Sequence, residues 1–158
     1  MGSKVHNYET KLEWTGNLGK GTQSYASYKR SYDIKIDGKP VLEGSSDPAF
    51  RGDPTKYNPE ELFLASLSSC HMLWYLHLCS EAGITIVSYT DNAIGEMTEK
   101  ANGSGAFSKV VLRPEVQILE VEMLKKAEAL HKTANEMCFI ANSCNFDVLH
   151  EPTTVLNE

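Results

Sequence analysis

Antiparallel hairpins on either side of one long apolar helix make an α+β chain, and three features of the sequence predict that order. Asp37-Gly38 and Asn102-Gly103 mark tight turns between strand-like segments. Between them, Asn58-Pro59-Glu60-Glu61 opens a helix that stays apolar from Leu62 to Cys79. Farther on, residues 120–136 carry apolar side chains at helical spacing. The 158 residues suit a single domain, residues 1–158, that buries roughly 70% of the surface its unfolded form exposes and folds without a staple.

Taken in order, strand-like segments lie around residues 7–15, 23–36 and 40–43, the last two joined by Asp37-Gly38. Residues 44–57, GSSDPAFRGDPTKY, contain Gly44, Pro48, Gly52 and Pro54 and read as a loop carrying Arg51. The helix after it has Asn58 as its cap, Pro59 in its first turn and Glu61 three residues after the cap, and it should end near Ala82-Gly83. Segments 84–98 and 106–118 read as a second hairpin around Asn102-Gly103. An amphipathic helix over 120–136 turns Val121, Leu124, Ala127 and Leu130 inward. A helical turn around Cys138 and a strand near 145–150 complete the chain.

The run from Leu62 to Cys79 is eighteen residues long, just enough to raise the question of a membrane. Ser66, Ser68, Ser69, His71 and His77 interrupt it, and glutamates flank both ends. The surrounding strands need a core to cover, so the sequence predicts a central helix buried all round, by its own sheet, by a second subunit or by both. Fifteen Lys and Arg against twenty-one Asp and Glu give a net charge of -6, with the basic residues scattered, which argues against a nucleic-acid partner. Four cysteines are too few for a disulfide scaffold, and MGSKVHNYET has no apolar stretch to act as a signal, so a reducing, cytoplasmic setting is expected. Met1-Gly2 lacks the Ser or Thr that myristoylation needs, His6 standing there, and Asn102-Gly103-Ser104 reads as a turn instead of a glycosylation site.

Cys70 is the residue on which the chemistry turns. A free cysteine in an apolar helix is usually a small core residue, and a reactive one needs a positive charge to hold its thiolate. Mid-helix, Cys70 is too far from the helix N-terminus for the dipole to supply that charge. Arg51 and Arg30 are the candidates, each equally at home in an exposed ion pair. A metal is disfavoured: Cys70 and His77 share a face but sit about 10 Å apart along the axis, and there is no CxxC pair.

NPEELFLASLSSCHMLW, followed about seventy residues later by the cysteine of HKTANEMCFIANS, resembles the OsmC/Ohr family of thiol-dependent hydroperoxide reductases. EWTGNLGKGT resembles the family's first strand and turn, and SCNFDVLHEP its last strand, so the resemblance covers nearly the whole chain. It implies an α+β, OsmC-like fold intertwined as a homodimer, with central helices packed inside and two active sites at the interface. It assigns Cys70 as the peroxidatic cysteine, Cys138 as the resolving cysteine and Glu60 as the glutamate that holds a catalytic arginine. Arg51, nine residues before Glu60, is similar in placement to the OsmC branch, and Arg30 to the Ohr branch; Arg51 is taken as the catalytic one.

The activity the resemblance implies is reduction of organic hydroperoxides to alcohols through a Cys70 sulfenic acid and a Cys70–Cys138 disulfide. A dithiol, typically lipoyl-linked in related enzymes, would reopen the disulfide, with no cofactor or metal. The alternative is a non-catalytic binding protein of the same fold, holding a small apolar ligand. Two residues depart from the family pattern: Phe139 stands where proline often follows the resolving cysteine, and His71 replaces a common phenylalanine. Cys79 and Cys144 match no catalytic position and read as structural.

Overall fold

Asn58 and Glu61 behave as their spacing predicts. The Glu61 amide donates to Asn58 Oδ1 at 2.8 Å, and the Asn58 amide donates to Glu61 Oε2 at 3.1 Å, a reciprocal cap that starts helix α1 (Pro59–Glu81). The computed structural model in which this is seen describes residues 2 and 4–157; Met1 and Ser3, within the stretch weighed above as an address signal, lie outside the described residues. The chain divides into two compact units, Met1–Leu62 and Phe63–Glu158.

The first unit is an antiparallel meander of β1 (Lys11–Trp14), β2 (Tyr32–Lys35) and β3 (Leu42–Gly44). Gly38 takes φ 72° in the turn between β2 and β3, as Asp37-Gly38 predicts. The strand expected over 23–36 is much shorter. Asn17 Oδ1 accepts from the amides of Gly19 and Gly21 at 2.9 and 3.0 Å and folds the chain into consecutive turns. Gly44 leaves room for the Tyr32 ring, which a Cβ there would meet at 2.3 Å. The loop to α1 holds a short 3-10 turn, Pro48–Phe50, capped by Asp47, whose carboxylate accepts from the Ala49 amide at 2.7 Å.

In the second unit α1 runs unbroken to Glu81 and ends as expected at Gly83, which takes φ 74°. The Ile84 amide bonds the Cys79 carbonyl at 2.9 Å and the Gly83 amide bonds that of Ser80 at 3.1 Å, the paired pattern that closes a helix at a left-handed glycine. The expected hairpin forms around Asn102-Gly103, but each arm breaks in two: β4 (Ile86–Asp91) and β5 (Ile94–Glu99) on one, β6 (Gly105–Leu112) and β7 (Pro114–Ile118) on the other. Asp91 fixes the break, accepting from the Arg113 amide at 2.6 Å and from the Ser68 hydroxyl of α1 at 2.5 Å. After α2 (Leu124–Met137), the chain returns as β8 (Val148–His150) parallel to β6, and as β9 (Thr153–Leu156) parallel to β7. This gives two mixed sheets, β4-β7-β9 and β5-β6-β8. The sequence reading stops at residue 150 and misses β9.

Leu67, His71, Tyr75 and Cys79, each four residues after the last, form the buried stripe of α1. Tyr75 and Cys79 pack with Val116, Ile118, Ala127 and Ala134, and Leu67 packs with Val110, Leu112 and Val148. The helix is therefore not buried all round within one chain: Leu73 is 62% exposed and Trp74 only partly covered. Val121 also departs from its inward assignment, because it falls in a 3-10 turn (Val121–Met123) before α2 and is 60% exposed. On α2 the inward stripe is Ala127, His131 and Ala134, with Leu124 and Leu130 partly buried beside it.

Cys79 is fully buried, and burial pushes its thiol up from the ordinary range, so it fills space as a neutral side chain. Cys144 donates its thiol to the Ile140 carbonyl at 3.3 Å. Cys79→Ala is expected to lower stability by on the order of 1 kcal/mol, from a small cavity, and Cys144→Ala by no more. Urea denaturation measures both; a larger loss in the Cys144 variant would assign that thiol a role beyond packing.

Candidate active site

The structure brings Cys70 and Cys138 together. Cys70 lies halfway along α1, partly open to solvent, and Cys138 ends α2 as its C-terminal cap, 1% exposed. Burial, and then the nearby Cys70 thiol, push the Cys138 thiol well up, and a thiolate there would also face the negative end of α2. The Ala141 amide donates to Cys138 Sγ at 3.4 Å and fixes the sulfur's direction. All four cysteines are free thiols.

Cys70 opens into a groove of about 510 Å³ walled by Leu73, Trp74, His77, Phe139 and Ile140. The wall is almost wholly apolar, with the small hydroxyls Ser66 and Ser69 at one side. Phe139, immediately after Cys138, turns outward, 67% exposed, and meets the Trp74 ring edge-on at 5.7 Å. In place of a turn stiffened by proline, this chain has an aromatic residue built into the groove wall.

The two arginines differ sharply. Arg30 is wrapped by its own loop: its guanidinium lies 4.1 Å from the ring centroids of both Tyr25 and Tyr28 and donates to their carbonyls at 2.7 Å each. Every contact it makes there is one that shapes the loop. Arg51 has the only non-glycine backbone at positive φ among the described residues, 63°, and forms no ion pair among them. A bulky side chain held in that region costs about 1–3 kcal/mol, and such strain gathers at functional positions. Glu60 Oε2 is buried with no hydrogen-bond partner among the described residues. Burial, and then the nearby Glu60 charge, push the Tyr32 phenol up. Arg51 and Glu60 are thus both without a salt-bridge partner in the first unit, and are not joined to each other.

His71 proves to have partners the sequence reading missed. Its ring is fully buried with Nε2 3.0 Å from Nδ1 of His131, which is equally buried, and His150 lies 5.8 Å away, ring to ring. The available signal was position: His131 stands four residues after Ala127, on the inward face of α2, where a polar ring needs a partner. Among the described residues no group of three His, Cys, Asp or Glu is arranged to hold a metal ion.

Burial, followed by repulsion among the rings, holds His71 and His131 well below the ordinary histidine value, and burial lowers His150. The Asp91 carboxylate opposes the shift at His71 without reversing it. The unfolded chain then binds more protons than the folded one at mildly acid pH, so stability is complete above the unfolded value of 6.5 and is lost as pH falls below it. Between pH 7.5 and 5.5 the loss should be on the order of 1 kcal/mol per ring. Urea midpoints at the two pH values measure it, and a wild-type protein as stable at 5.5 as at 7.5 would show that the rings are not held neutral.

A sequence profile of the family described as OsmC-like protein matches residues 52–151. The chain belongs to the OsmC-like family. The solved structure of an OsmC-like protein of unknown function from Vibrio cholerae O1 biovar eltor is 32% identical, with a TM-score of 0.81, over 94% of this chain and 100% of that one. An organic hydroperoxide resistance protein from Elizabethkingia anophelis is similar in fold, at 20% identity and TM-score 0.65, over 98% of this chain and 100% of that one. So is an organic hydroperoxide resistance protein, OsmC, from Legionella pneumophila, at 18% identity and TM-score 0.68, over 96% and 98%. No curated protein matches the sequence. The α+β, OsmC-like fold expected from the sequence is the one observed.

Proposed function

We propose that this OsmC-like protein is a thiol peroxidase that reduces organic hydroperoxides to alcohols. The observation that carries the reading is the unequal thiol pair: Cys70 open to an apolar groove, and Cys138 buried, neutral and close behind it. A thiolate at Cys70 attacks the terminal oxygen of the peroxide; the O–O bond breaks, and the alkoxide leaves as alcohol once it gains a proton. The Cys70 sulfenic acid then condenses with the Cys138 thiol, forming the disulfide and releasing water. An external dithiol reopens it by exchange, oxidised in turn to its own disulfide. A lipoyl-linked dithiol suits an apolar groove, as an organic peroxide does in preference to hydrogen peroxide.

Arg51 is assigned to face the Cys70 thiolate with its positive charge and to donate to the peroxide oxygens, with Glu60 orienting its guanidinium. Its strained backbone supports it over Arg30, whose guanidinium is already bonded to two carbonyls of its own loop. A homodimer is part of the reading, since the exposed Leu73 and half-buried Trp74 on α1 give a second copy an apolar face to cover.

Thiol titration before and after one equivalent of an organic hydroperoxide tests the reading directly. Two thiols per chain, counted after unfolding, should disappear; a binding protein for a small apolar ligand would lose none. Arg51→Ala is expected to slow the reaction of Cys70 with peroxide by about a hundredfold and to raise the pH at which the thiol becomes reactive. Arg30→Ala should cost only loop stability. Stopped-flow kinetics across pH separate them, and a shift seen for Arg30→Ala alone would exchange the two roles.

A further inference from the structure

α1 grips α2 at a single ring. The planes of His71 and His131 are 6° apart and their centroids 5.3 Å apart, with the 3.0 Å nitrogen contact between them. Parallel rings stacked face to face would keep their atoms about 3.5 Å or more apart. The two rings therefore meet edge to edge, the N–H of one aimed at the lone pair of the other, which also leaves no convergent lone pairs for a metal. Tyr75, one turn along α1 from His71, lies flat on the other side of the contact, its ring 3.8 Å from that of His131 and 8° from parallel. His131 is thus held in its plane by a hydrogen bond and across its plane by an aromatic face.

The same helices carry the thiols. Cys70 directly precedes His71 on α1, and Cys138 ends α2 seven residues, two turns, after His131. The rest of the contact includes Ala127 and Ala134, small residues against which a helix can slide with little change in buried area. Dispersion and apolar burial are non-directional, whereas a hydrogen bond weakens steeply with misalignment. A disulfide demands a sulfur separation of about 2.05 Å, so a slide of one or two ångströms decides whether it closes. The arrangement also has a cost that packing alone does not require: His71 Nδ1 and His131 Nε2 are buried with no partner among the described residues.

We infer that His71 and His131 are positioning residues whose hydrogen bond, backed by Tyr75, sets the register of α1 against α2 at which Cys70 and Cys138 meet. The inference rests on the thiol-pair reading above.

Closure in glutathione buffers tests it without peroxide. As the Cys70–Cys138 bond forms, the two protein thiols give up two hydrogens, and one oxidised glutathione becomes two reduced molecules. The equilibrium constant, measured on folded protein at pH 7.5, reports how well the fold aligns the sulfurs. His71→Leu and His131→Leu should each lower it tenfold or more, a rise of about 30 mV in the disulfide's potential. His131→Asn places an amide where Nδ1 was, and His71→Gln one where Nε2 was, so both should return the constant to within threefold of wild type. Should a single leucine variant fail to fold, His71→Leu/His131→Leu, which leaves no orphan nitrogen, replaces it.

Nitrogen NMR of the wild-type rings gives an independent reading, one shared proton fixing complementary tautomers. Leucine variants that close as readily as wild type, amide variants no better than leucine, or rings in free tautomer exchange would each overturn the inference. A wild-type pair that closes at no glutathione ratio would overturn the thiol-pair reading and this inference with it, a result distinct from closure that ignores the histidines.

Discussion

Cys70→Ser is expected to abolish peroxide consumption, with no residual turnover in excess dithiol, while Cys138→Ser consumes one peroxide per chain and stops. The order of chemistry dictates the difference. Cys70 is the one cysteine that lines the groove, so in the proposed reaction its sulfur takes the peroxide oxygen. Cys138, 1% exposed and with its thiol pushed up by burial, cannot act first, because the neutral thiol is a poor nucleophile and no peroxide reaches it. When Cys138 is replaced, the oxidised Cys70 has no neighbour to condense with, so the sulfenic acid persists and is trapped by a 1,3-dione probe. Mass spectrometry of the trapped adduct reads the result on a single residue. Multiple turnovers from the Cys70 variant would mean that another group meets the peroxide, and Cys79 and Cys144 would be the next thiols to replace.

What the sequence made legible is what short-range chemistry decides. Asn58 with Glu61, Asp37-Gly38 and Gly83 each appear where their backbone preferences require, because a cap or a left-handed glycine needs only neighbouring residues. Residues 23–31 have strand-like side chains, yet Asn17 captures the amides of Gly19 and Gly21 and turns the chain first. The break in the long hairpin depends on Asp91 bonding both Arg113 and Ser68, partners 22 and 23 residues away, which no local pattern announces. Composition could show that α1 is apolar on most faces, but not that one chain covers only the stripe from Leu67 to Cys79. At the site, motif and spacing reached the two thiols; the aromatic groove wall and the His71–His131 pair required packing to be seen, since residues 60 positions apart meet there.

The second large effect concerns how the site is assembled. α1 is a single helix from Pro59 to Glu81, so Glu60 and Cys70 stand ten residues, about 15 Å, apart along one straight axis. One arginine cannot touch both a carboxylate at the first position and a peroxide at the second. A break in the helix would have removed the difficulty, and there is none. In the proposed homodimer, a partner copy related by a two-fold axis would lay its own α1 antiparallel to the first, and the partner's Glu60, with the arginine it is assigned to hold, would then reach the groove of Cys70. The apolar residues that one chain leaves open, Leu73 among them, would be covered by such a pairing. Complementation reads this out. Cys70→Ser chains and Glu60→Ala chains, each expected to be inactive alone, are mixed in equal amounts, unfolded and refolded together. Half of the dimers should be mixed, and each mixed dimer holds one intact site out of two, so about a quarter of wild-type activity should return. A mixture that stays inactive while mass spectrometry counts the mixed dimers would mean that each site draws Glu60 and Cys70 from the same chain, and that a contact other than this glutamate orients the arginine.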